Sequence, residues 1–153
     1  LARLQAEAAQ RARRRVDAPP PVAGLRRTQA PRRALVDPTL RFDDAVVDGE
    51  GRVVVPAGTT INPFNTLRWH NELLFVDGGD PDQVRHAKAR RDALGPALKV
   101  VLVAGSPTAL MRRWRVPVYF DQGGRLVERF GIQQVPARVR QEGLQLQIDE
   151  VLP

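Results

Sequence analysis

Between residues 72 and 120, three apolar runs alternate with two segments of helix-forming composition. The apolar runs cover residues 72–76, 98–103 and 118–120. Asp80 and Ser106 are suited to cap the two helices, because each is followed by a proline at the first helical position. A Gly-Pro pair at 95–96 ends the first helix. Strands and helices alternating at this spacing predict βαβ units and a parallel sheet.

The last part of the chain predicts an antiparallel pair of strands. Residues 137–141 follow Pro136, and residues 144–148 alternate between apolar and polar side chains. A βαβ unit followed by such a pair resembles the thioredoxin arrangement. We therefore expect an α/β fold with a thioredoxin-like domain and a mixed sheet over residues 72–153. Val135-Pro136 resembles the Xaa-Pro step that is cis in thioredoxin-like folds, and we expect a cis bond there.

The chain contains no cysteine, which removes the chemistry usually found on such a domain. A disulfide framework, a cysteine zinc site, a thiol nucleophile and a redox pair are all excluded. We considered a cation site at Asp77, Asp80 and Asp82, but the spacing does not fit an EF-hand and Asp80 is needed as a cap. His70 and His86 do not form an HxxxH pair. We expect no catalytic residue, no metal site, no cofactor and no enzymatic activity.

The formal net charge of +7 is confined to the beginning of the sequence. Nine arginines and only two acidic residues occur before residue 37. From residue 37 onward the basic and acidic residues are equal in number, so the expected domain is electrically balanced. The positive charge therefore belongs to an N-terminal arm.

The arm divides into a helix and a connector. Apolar residues recur at spacings of three and four through residues 1–17, which predicts a basic helix with a narrow apolar stripe. Three consecutive prolines then end the helix, and residues 18–36 read as a Pro- and Arg-rich extended linker. A stripe made mostly of alanine buries little area, so the helix should need a partner surface.

Between the arm and the main domain, residues 37–71 predict a β-hairpin segment. Ala-Val-Val at 45–47 and Arg-Val-Val-Val at 52–55 flank a turn with two glycines at 48–51. A lone hairpin is unstable in water. We therefore expect this segment to pack on the main domain.

Short motifs in a fixed order run through most of the chain from residue 37 onward. They are Asp-Pro-Thr-Leu at 37–40, Gly-Arg-Val at 51–53, Ala-Gly at 57–58, Asn-Pro at 62–63, Leu-Phe-Val-Asp-Gly at 74–78, Asp-Pro at 80–81, Gln-Val at 83–84, Tyr-Phe-Asp-Gln at 119–122, Gly-Ile at 131–132 and Val-Pro-Ala-Arg-Val at 135–139. In these motifs the chain resembles the TraW family of pilus-assembly proteins from F-type conjugative type IV secretion systems. The resemblance implies a non-enzymatic protein of the periplasm that works with TrbC, another periplasmic component of the apparatus.

We expect the partner to contact the arm and the two tryptophans. The candidate docking residues are Leu1, Leu4, Arg11, Arg14, Arg15, Pro19, Pro20, Pro21, Trp69 and Trp114. Two alternatives remain open: a degenerate thioredoxin-like chaperone or adaptor, and a DNA-contacting protein that uses the arginines of the arm. Neither a small-molecule substrate nor a membrane span is expected. Because residue 1 is leucine, we expect that any signal peptide has already been removed.

Overall fold

The computed structural model describes residues 1–153 as a mixed α/β fold with four α-helices and twelve strands. The helices are α1 (Ala2–Asp17), α2 (Pro81–Leu94), α3 (Pro107–Trp114) and α4 (Arg125–Phe130). The strands are β1 (Arg26–Arg27), β2 (Arg32–Val36), β3 (Leu40–Arg41), β4 (Val46–Val47), β5 (Val53–Val55), β6 (Thr60–Ile61), β7 (Glu72–Asp77), β8 (Leu98–Ala104), β9 (Tyr119–Phe120), β10 (Gln134–Val135), β11 (Ala137–Glu142) and β12 (Gln145–Glu150). Three short 3-10 helices occupy Pro63–Asn65, Gly95–Ala97 and Gln122–Gly124.

Six of the strands form one mixed sheet in the order β2-β12-β11-β7-β8-β9. β7, β8 and β9 run parallel to one another, which confirms the predicted βαβ units. β11 pairs antiparallel with both β7 and β12, which confirms the predicted C-terminal pair. The sheet therefore changes from parallel to antiparallel between β7 and β11.

The helix boundaries follow from local chemistry. The Asp80 carboxylate accepts the backbone N–H of Asp82 at 3.0 Å, and the Ser106 hydroxyl accepts that of Ala109 at 3.1 Å. Each cap is followed by proline, whose missing N–H costs nothing in the first turn of a helix. Both predicted helix starts are confirmed.

Apolar side chains pack on both faces of the sheet because successive residues of a strand point to opposite sides. Phe75, on the face that α4 covers, packs edge-to-face on Phe130 with ring centroids 6.1 Å apart. On the opposite face, Leu74 packs in a cluster with Ala87 of α2 and Leu110 of α3. Strands β7 and β8 contribute to both clusters and so form the centre of the core.

Residues 18–36 differ from the extended linker that the sequence predicts. β2 pairs antiparallel with β12 through five residue pairs and is the edge strand of the main sheet. β1 pairs in parallel with β10. The stretch is extended, as its prolines require, but it joins the body because β12 and β10 offer it free backbone donors and acceptors.

The predicted hairpin is present, since β4 and β5 pair antiparallel. The Asp48 carboxylate stabilises its turn by accepting the backbone N–H groups of Glu50 and Arg52, both at 2.9 Å. The expected packing of this hairpin on the main domain differs, however, because four of its five valines are 39% to 59% exposed and only Val55 is half-buried. Strands of two or three residues are too short to build a buried face.

Candidate functional site

In a thioredoxin-like fold the reactive residues would lie at the N-terminus of α2. In this chain, polar side chains at that position form hydrogen bonds with the turn and with each other. The Asp77 carboxylate accepts the N–H of Gly79 at 2.7 Å. The buried Gln83 side chain accepts the N–H of Asp77 at 2.8 Å and donates to the Asp80 carboxylate at 3.1 Å. A β-carbon on Gly78 would lie 2.8 Å from the carbonyl oxygen of Ala104, so only glycine fits this turn. These polar groups fix the turn and the start of the helix.

Residues 21–30 cross this turn and are called the strap below. Strap N–H groups donate to the carbonyl oxygens of Val103 and Val135, each at 2.8 Å. The Gln134 side chain holds the far end of the strap, since its Nε2 donates to the carbonyl oxygen of Ala30 at 3.0 Å and its Oε1 accepts the N–H of Gln29 at 3.2 Å. The strap is thus bonded to the body along its length.

Arg27 of the strap bridges the two carboxylates at the start of α2. Its guanidinium lies 2.9 Å from the Asp80 carboxylate and 2.9 Å from that of Asp82. Burial acts to raise the pKa of Asp80, but hydrogen bonds from Gln83 and nearby backbone groups, together with the charge of Arg27, hold that pKa below its usual range. Both carboxylates at the start of α2 are therefore paired with an arginine of the strap.

The Val135-Pro136 peptide bond lies beneath the strap and is cis. Both residues are buried. The Thr28 hydroxyl donates to the carbonyl oxygen of Pro136 at 3.3 Å, and Thr28 itself is buried. The surface beside Pro136 is therefore covered by the strap.

Glu150 anchors β2 at the edge of the sheet. Its side chain is fully buried and accepts two hydrogen bonds from the Arg32 guanidinium, at 2.9 and 2.8 Å. The backbone N–H groups of Gln133 and Gln134 also donate to it, at 2.8 and 3.2 Å. Burial acts to raise the pKa of Glu150, but these donors outweigh it and lower the pKa to about 2. Glu150 therefore connects β2, the segment before β10 and the end of β12.

A second ion pair lies next to it on the same two strands. The Arg33 guanidinium donates to the Asp149 carboxylate at 2.6 Å, and the Gln147 side chain donates to the same group at 2.8 Å. Burial acts to raise the pKa of Asp149, and these donors together with nearby positive charges hold it below its usual range. The two arginines at the start of β2 are thus paired with carboxylates of β12.

Helix α1 presents the opposite picture, because none of its residues is buried. Leu1 is 91% exposed, Leu4 64% and Val16 63%. Contact with the body occurs at the end of the helix, where the Asp17 carboxylate accepts a hydrogen bond from the Thr108 hydroxyl at 3.0 Å. The apolar stripe of α1 is therefore free to be covered by another surface.

The structure does not bring the ten candidate docking residues together on one surface. Leu4, Arg11, Arg14 and Arg15 are exposed on α1, and Leu1, directly before the helix, is exposed as well. Pro20 and Pro21 are exposed but Pro19 is buried, so it offers no surface to a partner. Trp69 and Trp114 are half-buried and pack on opposite faces of the sheet.

No group of three or more histidine, aspartate or glutamate side chains in the structure is arranged to hold a metal ion. Asp80 and Asp82 of the considered cation site accept hydrogen bonds from Arg27. None of the helices is long and apolar enough to cross a membrane.

Sequence reasoning missed the ion pairs that hold residues 26–36 to the body. Arg32 and Glu150 lie 118 positions apart, and no local pattern connects them. The alternation of apolar and polar residues in β12 predicts a strand. It does not predict that β2 pairs with the edge of β12 that β11 leaves open.

Comparison with known proteins gives one informative match. Protein TraW of Escherichia coli (strain K12) is 40% identical over 123 residues, which cover 79% of this chain and 57% of the relative. The chain thus spans somewhat more than half the length of that relative. No family model matches, and no solved structure matches. The match confirms the resemblance seen in the motifs, and over the part that matches this chain belongs to the TraW family.

Proposed function

We propose that this chain is a non-enzymatic component of an F-type conjugative type IV secretion system that acts in the periplasm. Its role would be in pilus assembly, through contacts with a TrbC-like partner protein. Membership of the TraW family supports the conjugative system. The observation that carries the docking mechanism is α1, a helix of 16 residues with none buried.

The order of the sheet supports a thioredoxin-like body used for its shape. β8, β7, β11 and β12 are adjacent, with the first two parallel and the last two antiparallel. Pro136 lies directly before β11, and α2 follows β7. Because the chain has no cysteine and its own strap covers the surface beside Pro136, we assign this domain a structural role rather than thiol chemistry.

The docking mechanism follows from the physics of a short helix. An isolated helix of this length is marginal in water, and its stability comes from packing an amphipathic face. Leu1, Leu4 and Val16 form one exposed stripe, and exposed arginines surround it. A partner that offers an apolar groove with acidic rims would cover the stripe and pair the arginines.

The test is a binding measurement between the purified chain and a TrbC-like protein. Deleting residues 1–17 should weaken binding at least tenfold while thermal unfolding stays unchanged. Replacing Leu1, Leu4 and Val16 with glutamine should have a similar effect, since it removes the stripe and keeps the charge. Leu152→Gln is the matched control, because Leu152 is 53% exposed and lies far from α1 in the sequence. Equal binding by all variants would exclude α1 as the docking element.

A degenerate thioredoxin-like chaperone or adaptor would use the same contacts only transiently. Following the complex through purification would separate the two roles, because a permanent component stays bound. DNA contact through the exposed arginines of α1 is less well supported, since the arm has no aromatic side chain on which bases could stack. DNA affinity should fall steeply with salt, whereas apolar docking should not.

A further inference from the structure

An open cleft of about 810 Å³ lies on the side of the molecule away from the strap. Its walls are the segment 64–72, the C-terminal half of α2, the strand β11 and the turn that follows it. The volume lies within the range typical of ligand sites. Of the residues in the family motifs, Arg138 alone lines this cleft, and the arm does not contribute to it.

The walls carry four arginines and one carboxylate. Arg138 and Arg140 lie two positions apart on β11 and so project from the same face of the sheet. The Glu72 carboxylate accepts from Arg138 at 2.5 Å and from Arg90 at 3.3 Å. Arg140 and Arg68 form no ion pair. The four arginines and the one carboxylate therefore give the cleft a net charge of +3.

Two of these arginines also have a side-chain nitrogen that lacks a hydrogen-bond partner within the chain. The Nε atoms of Arg90 and Arg140 are buried and have no hydrogen-bond partner. Nearby, burial lowers the pKa of His86, and the positive charges of Arg90 and Arg138 lower it further. Like charges held together in a partly buried place cost free energy unless an anion neutralises them.

Apolar side chains complete the cleft. Trp69 and Phe64 are half-buried and pack on the core. Leu67, Leu94 and Leu144 also line the cleft and are 43% to 56% exposed. The site therefore offers positive charge together with apolar side chains in a volume of about 810 Å³, which suits a peptide better than a compact ion.

We propose that this cleft binds a carboxylate-bearing segment of a partner protein, with Arg140 as the main anion contact. A guanidinium can bind a carboxylate through two parallel hydrogen bonds, and Arg140 is free to do so because Glu72 is already shared by Arg90 and Arg138. The leucines would cover apolar side chains next to the carboxylates. The proposal rests on the proposed function, assembly through protein contacts, and adds a second docking site with its own chemistry.

Trp69 provides a direct readout, because it lines the cleft whereas Trp114 packs on the other face of the sheet. In a Trp114→Phe background, Trp69 is the single tryptophan. The probe is a 12-residue synthetic peptide in which glutamates alternate with leucines and valines. Its matched control carries glutamine at every glutamate position. The acidic peptide should produce a saturable fluorescence change, and the control should bind at least tenfold more weakly.

Two substitutions then locate the site. Arg140→Gln should weaken binding of the acidic peptide at least tenfold, and Arg140→Lys should weaken it less because the charge remains. Arg113→Gln is the control, since Arg113 is exposed on α3 and does not line the cleft. Thermal unfolding of each variant separates loss of binding from loss of folding.

The proposal is overturned if the acidic peptide does not bind, if the glutamine peptide binds equally well, or if Arg140→Gln has no effect. Inorganic phosphate that produces the same change at the same concentration would show a simple anion site instead of a peptide site. Self-association that depends on Arg140 would make a second copy the occupant and overturn the choice of a partner. These results do not depend on α1, so they are distinguishable from failure of the proposed function.

Discussion

The nine arginines before residue 37 fall into two groups that the fold treats differently. The five on α1 form no ion pair with the body, and Arg3 pairs only with Glu7 of the same helix. Of the four that follow, Arg27, Arg32 and Arg33 bind carboxylates of α2 and β12. Both groups consist of arginines, but the first lies on an exposed helix, whereas three members of the second pair with carboxylates of the body. Charge counting along a sequence therefore does not show where a functional arm ends.

The difference matters energetically because the second group includes a buried partner. An exposed ion pair contributes about 0–1 kcal/mol, whereas removing one member of a buried pair costs about 3–5 kcal/mol. Glu150 is fully buried, while Arg3 is 91% exposed. Residues 18–36 should thus act as part of the body, and α1 as an appendage.

The largest effect should come from comparing two deletions. Removing residues 1–17 should leave the thermal midpoint within about 2 °C of the full chain, because no residue of α1 is buried. Removing residues 1–36 deletes β2 and leaves Glu150 and Asp149 without arginine partners. That protein should lose cooperative unfolding or fall by more than about 10 °C in midpoint. Circular dichroism melts would measure both, and equal midpoints would contradict the division at residue 17.

A smaller effect is expected for Glu150→Gln. The substitution removes the charge that Arg32 and two backbone N–H groups bind, and it should lower the free energy of unfolding at pH 7 by about 3 kcal/mol. Urea denaturation would measure it. Glu142→Gln on the exposed end of β11 is the matched control and should change stability by less than about 0.5 kcal/mol. A loss no larger than that of the control would show that Glu150 does not hold the edge strand.

The pH dependence of stability should reveal the same carboxylate. Its pKa is lowered from 4.5 to about 2 on folding, so its contribution is fully present above pH 4.5 and is lost as the pH falls toward 2. The loss should be roughly 2 kcal/mol after allowing for screening of the partly exposed Arg32. Denaturation between pH 6 and pH 2 would measure this loss. In Glu150→Gln, the free energy of unfolding should depend less steeply on pH over this range. An unchanged slope would assign the acid sensitivity to other groups.

The smallest effect is expected at the strap. Arg27 is nearly half exposed, so Arg27→Gln should lower the free energy of unfolding only slightly, and less at high salt. Arg26→Gln is the control, because Arg26 is the neighbouring exposed arginine and forms no ion pair with α2. Denaturation at low and high salt would compare the two. A cost that is the same for both variants would mean that the carboxylates of Asp80 and Asp82 do not stabilise the strap.

Local signals account for what sequence reasoning predicted well. Asp80 and Ser106 define the starts of α2 and α3, and the turn with two glycines after residue 47 defines the hairpin. The edge strand β2 was missed because Arg32 and Arg33 give it no apolar alternation and its partner strand lies at the far end of the chain. The arginine cleft was missed for a related reason. Arg138 and Arg140 were visible on one strand face, but Arg90 and Trp69 reach the same place only through the tertiary fold.

Amide hydrogen exchange on the full chain tests most directly the claim that the arm ends at residue 17. The account predicts slow exchange at β2, at a level similar to that of β12, because the two strands share backbone hydrogen bonds. It also predicts rapid exchange throughout α1, because that helix packs no residue into the body. Rapid exchange across the whole of residues 1–36, or protection of α1 equal to that of β2, would contradict it.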